Sequence, residues 1–252
     1  MRTTWEEAGW ERIGDGVGRR RLPGWDETVG AVAGATGLLV VDAGATLAEG
    51  GALAHQVTAI VGGPVTHLAL THPHFDHVLG AAAFTGDRPQ DAGGVAVYAA
   101  VGAAEALSHG REELLRDARA HGMPHEAVEE AAAAPVVPGH GVSDTLTVDL
   151  GDRQVLLANV GPGHTAHDLA VVVPEREGHP AVVFCGDLVE ESGEPQAGPD
   201  AVPARWPAAL DRLLSLGGEH AHYVPGHGRV VDARFVREQR DTLARRFGVS
   251  RS

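Results

Sequence analysis

The sequence predicts an α/β (α+β) protein built from two β-sheets, each covered by helices. Two observations predict this class. Segments with the apolar pattern of strands alternate with helical segments in the first half of the chain, and the same order returns in the second half. Glycine makes up 34 of the 252 residues, about twice its average share, which indicates many tight turns. We expect residues 1–252 to form a single domain, since no stretch has the composition of a linker.

The first half is predicted to contain short strands followed by helices. β-Rich runs bounded by turn signals predict strands at residues 28–32, 38–41, 66–70 and 95–98. Helices are predicted at residues 47–60 and from about residue 78. Residues 103–134 also have a helical pattern, with Leu107, Leu114 and Leu115 on one face, and 122–124 divides them into two helices. This region is either one wall of a substrate cleft or a structural cover.

The second half is predicted to return to strands and then helices. The strands are expected at residues 145–150, 155–160, 170–173, 181–185 and 223–224. A helix begins at Trp206, has Pro207 in its first turn and ends before Gly217. A closing helix extends from Asp232 to about residue 246.

The composition excludes several classes of protein. The chain has 20 arginines, no lysine and a net charge of −14, so we expect no binding to nucleic acid or anionic membranes. The first ten residues have no apolar signal segment and no run is long enough to span a membrane, which favours a cytoplasmic protein. One cysteine and 15 histidines indicate nitrogen and oxygen ligands for any metal. The expected partner is a small-molecule substrate, and the protein is a monomer or a homodimer.

The most informative segment is His72-x-His74-x-Asp76-His77, which follows the predicted strand 66–70. Side chains two residues apart at a strand end point the same way, so His72 and His74 are expected to converge. Asp76 and His77 follow in the turn that begins a helix. This dense set of nitrogen and oxygen ligands predicts a site for zinc, iron or manganese, and the alternative is a run of exposed histidines.

Three further elements each place one ligand-type side chain at the end of a predicted strand. Neighbouring glycines let backbone and metal approach closely. The elements are Gly163-His164-Thr165, Gly186-Asp187 and Gly226-His227-Gly228. The sequence Val-Pro-Gly-His-Gly occurs twice, but only His227 follows the other elements, so we expect His140 in a loop. We interpret four more residues as supporting, structural or surface groups: His167, Asp168, His220 and His222.

With Asp42-Ala43-Gly44 upstream, these motifs in this order resemble those of metallo-β-lactamase-fold hydrolases, and the resemblance covers nearly the whole chain. It implies a four-layer αβ/βα sandwich with a metal pair in a cleft at one edge of the two sheets. Region 103–134 is then a helical insertion. The motifs indicate the fold and the site but not the substrate. The ligands implied are His72, His74 and His164 for the first metal, Asp76, His77 and His227 for the second, and Asp187 as a bridge between them.

Two features bear on the branch of the family. The best-known zinc β-lactamases carry a cysteine at the second metal, whereas this sequence offers Asp187, as in the glyoxalase II, lactonase and thioesterase-like branches. Cys185 shares the expected strand face of Asp187, and we interpret it as a small buried hydrophobe and not a ligand. Segment 19–25 resembles the family's mobile substrate loop, in which Trp25 would pack on a substrate; an ordinary exposed hairpin is the alternative. Without lysine, an arginine or the metals must hold any carboxylate of the substrate.

The resemblance implies a hydrolase with two zinc ions, with iron or manganese as other candidate metals. A hydroxide between ions about 3.5–4 Å apart would attack the carbonyl of a small ester, thioester, lactone or amide. Asp76 is the expected catalytic residue and would orient this nucleophile. The alternatives are a persulfide dioxygenase-like oxidoreductase with one iron, a hydrolase of small phosphodiesters, and a non-catalytic metal-binding module. We expect β-lactams to be turned over only weakly.

Overall fold

The strands of the first half form a mixed sheet. The structure is a computed structural model that describes residues 3–86, 90, 93–176 and 178–249. Within these residues, the first sheet has seven strands in chain order. Neighbours are antiparallel over the first four strands and parallel over the last four. They are β1 (Glu11–Gly14), β2 (Val17–Arg21), β3 (Thr28–Ala33), β4 (Leu38–Val41), β5 (His67–Ala69), β6 (Ala96–Ala100) and β7 (His140–Val142).

The second sheet is formed by the later strands. They are β8 (Thr145–Asp149), β9 (Gln154–Asn159), β10 (Leu169–Val173), β11 (Val182–Glu190) and β12 (His222–His227). In the described chain this sheet has five strands in the order β12-β11-β10-β9-β8. Only β11 and β12 pair in parallel there. Parallel strands end at the same edge of a sheet, so β4 ends beside β5, and β11 beside β12.

Helices cover the outer faces of both sheets. The long helix that begins at Leu47 starts with a capping box, in which Thr46 Oγ1 accepts from the Glu49 N–H at 3.1 Å and the Glu49 carboxylate accepts from the Thr46 N–H at 3.1 Å. No helix among the described residues is long and apolar enough to cross a membrane. The helices are α1 (Leu47–Val61), α2 (Phe75–Val78), α3 (Ala82–Thr85), α4 (Ala103–His109), α5 (Arg111–Ala120), α6 (His125–Ala133), α7 (Trp206–Gly217) and α8 (Ala233–Phe247).

Buried apolar side chains form three layers between these elements. One lies between α1 with α4–α6 and the first sheet, the second lies between the two sheets, and the third lies between the second sheet and α7 with α8. Examples are Leu53 and Leu68 in the first layer, Leu39 and Leu157 in the second, and Leu210 and Tyr223 in the third. The order helix, sheet, sheet, helix confirms the predicted four-layer αβ/βα sandwich.

Several elements differ from the sequence predictions. The helix expected from residue 78 begins at Phe75, because the preceding residue already has the extended backbone of a cap. Region 103–134 forms three helices and not two, since Gly110 separates α4 from α5. Strand β11 continues past residue 185 to Glu190. His140 was expected in a loop but begins β7, where it pairs with Tyr98 and stacks on its ring at 4.9 Å.

Candidate metal centre

The motif after β5 changes from strand to helix within the set of predicted ligands. His72 and His74 lie in the segment between β5 and α2, and Asp76 and His77 lie in the first turn of α2. His74 is extended, with φ −95° and ψ 152°, and ends this segment as the residue before the helix. His72, Asp76 and His77 are buried, and His74 is half-buried. The turn therefore directs all four side chains to one interior region.

The remaining predicted ligands come from the second sheet. His164 lies between β9 and β10, Asp187 lies within β11, and His227 is the last residue of β12. A backbone hydrogen bond from Leu169 N–H to Thr71 O, at 2.7 Å, joins the two sheets beside the motif. The fold thus brings all the predicted metal ligands together where the parallel strands end.

Four of these residues form the first cluster. His164 Nε2 lies 3.0 Å from His74 Nδ1. Asp187 Oδ2 lies 3.4 Å from His164 Nε2 and 3.6 Å from His72 Nε2. The ligand atoms of His72, His74, His164 and Asp187 lie within 4.8 Å of one another. This donor set of three imidazoles and a carboxylate suits zinc.

The second cluster contains Asp76, His77 and His227. Asp76 Oδ2 lies 3.3 Å from His227 Nε2 and 3.5 Å from His77 Nε2. Asp187 also borders this cluster, because its Oδ2 is 3.3 Å from His227 Nε2 and its Oδ1 is 3.2 Å from His77 Nε2. A carboxylate in this position lies within reach of a cation in either cluster.

In each imidazole of the two clusters, the ring nitrogen that points away from the clusters, the outer nitrogen, is hydrogen-bonded to an oxygen atom. Since these nitrogens donate, the opposite nitrogens keep their lone pairs directed into the clusters. The inward nitrogen is Nε2 in each ring except His74, which turns Nδ1 inward. The outer contacts are His72 Nδ1 to Thr71 Oγ1 at 3.0 Å, His74 Nε2 to Asp200 Oδ2 at 3.0 Å, His77 Nδ1 to Asp42 Oδ2 at 2.9 Å, His164 Nδ1 to Gln196 O at 3.1 Å, and His227 Nδ1 to Trp25 O at 2.9 Å.

Asp42 connects the supports of both clusters. Its Oδ2 accepts from His77 Nδ1 and, at 2.8 Å, from the Thr71 hydroxyl, which itself accepts from His72. Its Oδ1 accepts from the Thr71 N–H at 2.7 Å. In the sequence, Asp42 was recognised only as part of the upstream motif Asp42-Ala43-Gly44, and its supporting role was not predicted. One signal for it was the carboxylate at the end of β4, the parallel neighbour of β5.

The electrostatics of the clusters favour a bound cation. Burial lowers the pKa of His72 well below its usual value and that of His164 to about 4, so both rings are neutral and able to ligate. Burial alone would raise the pKa of Asp187, but the neighbouring imidazoles, His77 foremost, hold it well below its usual range. His72 Nε2, His77 Nε2 and Asp187 Oδ1 are buried and have no hydrogen-bond partner within the described part of the chain. Divalent cations would satisfy these atoms, so the residues present fit a metal pair.

Two glycines make room for Asp187. Gly186 has φ +53°, and the pairing of β11 with β12 shifts there, which turns Asp187 toward the clusters. A Cβ at Gly226 would lie 1.8 Å from Asp187 Oδ1 and 2.8 Å from the Gly186 carbonyl carbon, so only glycine fits opposite the carboxylate. The same shift separates Cys185 from Asp187: its thiol faces the layer under α7 and donates to Val183 O at 3.3 Å. The expectation that the two share a strand face was wrong.

Replacing Cys185 by alanine is expected to leave the metal content unchanged. Burial raises the pKa of this thiol, and the residue is 1% exposed, so it is a protonated apolar side chain. We expect a stability loss of about 1 kcal/mol from the small cavity. Elemental analysis of the purified variant and a thiol reagent applied to the native protein check this. A fall in bound metal, or rapid modification of the folded protein, would contradict it.

Other polar residues take supporting positions. Asp168 accepts from the Thr165 N–H and hydroxyl and so holds the loop that carries His164; burial raises its pKa to about 7. His167 bonds Val101 O at 3.0 Å through Nδ1. Glu27 was not singled out from the sequence, yet it is fully buried, and neither of its carboxylate oxygens has a hydrogen-bond partner among the residues that the structure describes. Burial chiefly raises its pKa to about 7.

Comparison with known proteins agrees with this geometry. A family model described as the metallo-beta-lactamase superfamily matches residues 22–227. A metallo-beta-lactamase type 2 from Bacteroides fragilis is 30% identical over 94 residues, which are 36% of this chain and 36% of that relative. The match thus spans about a third of the relative's length.

Solved structures with this fold include two metallo-beta-lactamases. DIM-1 has a TM-score of 0.69 and 16% identity, with 94% of this chain and 97% of that chain covered. The enzyme from Pontibacter korlensis has a TM-score of 0.70 and 21% identity, with 93% and 97% covered. At these identities the likeness concerns the fold. The family match over most of the chain, together with this fold and its ligand clusters, shows that the protein belongs to the metallo-beta-lactamase superfamily.

Proposed function

We propose that the protein is a hydrolase with two zinc ions that cleaves a small ester, thioester, lactone or amide. The observation that carries this proposal is the position of Asp187 between two clusters of oriented imidazoles. Divalent cations bound there would lower the pKa of water to about 7 and polarise a carbonyl. His72, His74, His164 and Asp187 would hold one cation, and Asp76, His77, His227 and Asp187 the other.

The chain's own residues support the reaction around these cations. Asp76 is 7% exposed, and its Oδ2 lies between His77 and His227, where it is placed to orient the attacking water and to accept its proton. The outer oxygens on each imidazole keep the ring nitrogens in one tautomer through the reaction. A small carbonyl substrate is favoured over nucleic acid, because the net charge of −14 repels a polyanion.

Metal analysis together with a hydrolysis panel tests the proposal. Protein purified without added metal is expected to contain about two zinc ions per chain and to lose hydrolysis on chelation, with recovery when zinc is returned. The panel consists of lactones, thioesters, esters, β-lactams and phosphodiesters. Full activity in stable, metal-free protein would contradict the proposal. About one iron per chain with oxygen uptake on a persulfide would favour the oxidoreductase alternative.

β-Lactam hydrolysis is the second candidate function, because the Bacteroides fragilis relative is a metallo-beta-lactamase. Asp187 contacts His77 and His227 of the second cluster, whereas the Cys185 thiol faces the layer under α7. The best-known zinc β-lactamases are expected to have a cysteine at the second metal instead. We therefore expect weak turnover of a chromogenic β-lactam beside faster cleavage of another substrate in the panel. Efficient β-lactam turnover with no better substrate would overturn this placement.

A further inference from the structure

Trp25 lies in the loop between β2 and β3 and connects the helical region to the second cluster. Its indole Nε1–H donates to His121 O, at the end of α5, at 3.2 Å. Its ring meets Phe75 edge-on, with centroids 5.3 Å apart, and Phe75 stacks on the His121 ring at 5.4 Å. The loop is therefore fastened to α5 and to the first residue of α2.

The backbone of the same residue supports a predicted metal ligand. Trp25 O accepts from His227 Nδ1 at 2.9 Å. The next-but-one residue, Glu27, forms an isolated antiparallel bridge with His227, and its carbonyl accepts from the Leu22 N–H at 2.9 Å. The position of the Trp25 carbonyl is thus set by the loop on one side and by the docked indole on the other.

The indole of Trp25 thus contacts the helical region, and the carbonyl of the same residue contacts His227. The imidazole of His227 keeps Nε2 directed at Asp76 and Asp187 only while Nδ1 is held. Trp25 is half-buried, and its indole packs against the apolar layer between the first sheet and its helices. The packing of this ring on a substrate stays a prediction, and these contacts add a supporting role.

We propose that region 103–134 positions His227 through Trp25, so that the affinity of the second metal depends on the docked indole. This inference rests on the proposed metal pair. It assigns the helical region a role in the site beyond covering the first sheet, and it makes Trp25 a positioning residue.

Cobalt titration of two Trp25 variants tests this inference. Trp25→Ala removes both ring contacts, and Trp25→Phe keeps an aromatic ring for Phe75 but removes the N–H donor. We expect the second-site dissociation constant to rise about tenfold in Trp25→Ala and about threefold in Trp25→Phe, with the first site unchanged. Visible absorption of bound Co²⁺ follows each site, and His227→Ala gives the spectrum of the first site alone.

Trp10→Phe is the matched control. It also removes an indole hydrogen bond, from Nε1 to Gln56 Oε1 at 3.0 Å, but this bond and the ring contact of Trp10 with Trp5 involve no predicted ligand. We expect both cobalt affinities of this control to stay within about twofold of wild type. Trp25 variants that match the control, or that weaken both sites equally, would overturn the inference. Wild-type protein that binds fewer than two Co²⁺ ions would instead contradict the proposed function.

Discussion

Replacing Asp187 by asparagine is expected to abolish hydrolysis and to empty at least one metal site. Asp187 Oδ2 lies 3.3 Å from His227 Nε2 and 3.4 Å from His164 Nε2, so its charge serves both clusters. An amide keeps the shape but loses the charge and directs N–H groups toward a cation. The loss of several kcal/mol of stabilisation by a cation corresponds to a fall in kcat/KM of about 10³-fold or more. Elemental analysis and steady-state rates measure the two effects.

Glu190→Gln is the matched control for this variant. It removes a carboxylate from the same strand, at the residue that pairs with His227 in β12, but Glu190 is not part of either cluster. Its Oε1 accepts from the Ser192 hydroxyl, and burial chiefly raises its pKa to about 7. We expect this control to retain both metals. If the two variants lose metal and activity to the same extent, metal binding depends on the total negative charge near the site and not on the bridging position of Asp187.

Replacing Asp42 by asparagine is expected to weaken metal binding at both sites, although Asp42 is not itself a predicted ligand. The carboxylate accepts from His77 Nδ1 and from both donors of Thr71, and Thr71 in turn holds His72. An asparagine side chain has one acceptor oxygen, so its amide N–H₂ must face at least one of these donors. The loss of such a supporting contact lowers metal affinity about 10–100-fold. Competition with a chelator measures the affinity of each site.

Asp26→Asn is the matched control for Asp42→Asn, because both residues have the same unusual backbone conformation. Among the described residues, Asp26 and Asp42 are the non-glycine positions with positive φ, at 65° and 63°. Asparagine tolerates this conformation, so Asp26→Asn makes the same change at the same geometry. Asp26 pairs with Arg21 in an exposed salt bridge at 2.6 Å, and we expect metal affinities within about twofold of wild type. An Asp42→Asn protein with wild-type affinities would refute the orienting role of Asp42.

The residues of the two clusters could be predicted from sequence, because each lies in a local pattern. His72 and His74 follow a short apolar strand, and a glycine directly precedes each of His164, Asp187 and His227. These motifs lie at the same edge of the two packed sheets, so the layered fold brings their side chains together. The layered fold was predictable for a similar reason, since alternating strands and helices must bury their apolar faces in layers.

The contacts that orient the ligands were not predictable in the same way. His74 and Asp200 are 126 residues apart in the chain, and His227 and Trp25 are 202 apart. Two of the five outer acceptors are main-chain oxygens, of Gln196 and Trp25, which any residue type supplies. The sheet face on which the Cys185 side chain lies was also not predicted, because the irregular pairing at Gly186 breaks the two-residue alternation of side chains along the strand.

The sequence by itself therefore determined which side chains form the two clusters and which local motifs carry them. The tertiary structure decided which nitrogen of each imidazole faces the cluster, that Asp42 supports both clusters, and that Trp25 docks on the helical region. The physical reason is the range of the interactions. Strand ends and turns are set by neighbouring residues, whereas each orienting hydrogen bond requires that segments distant in the chain be packed to within about 3 Å.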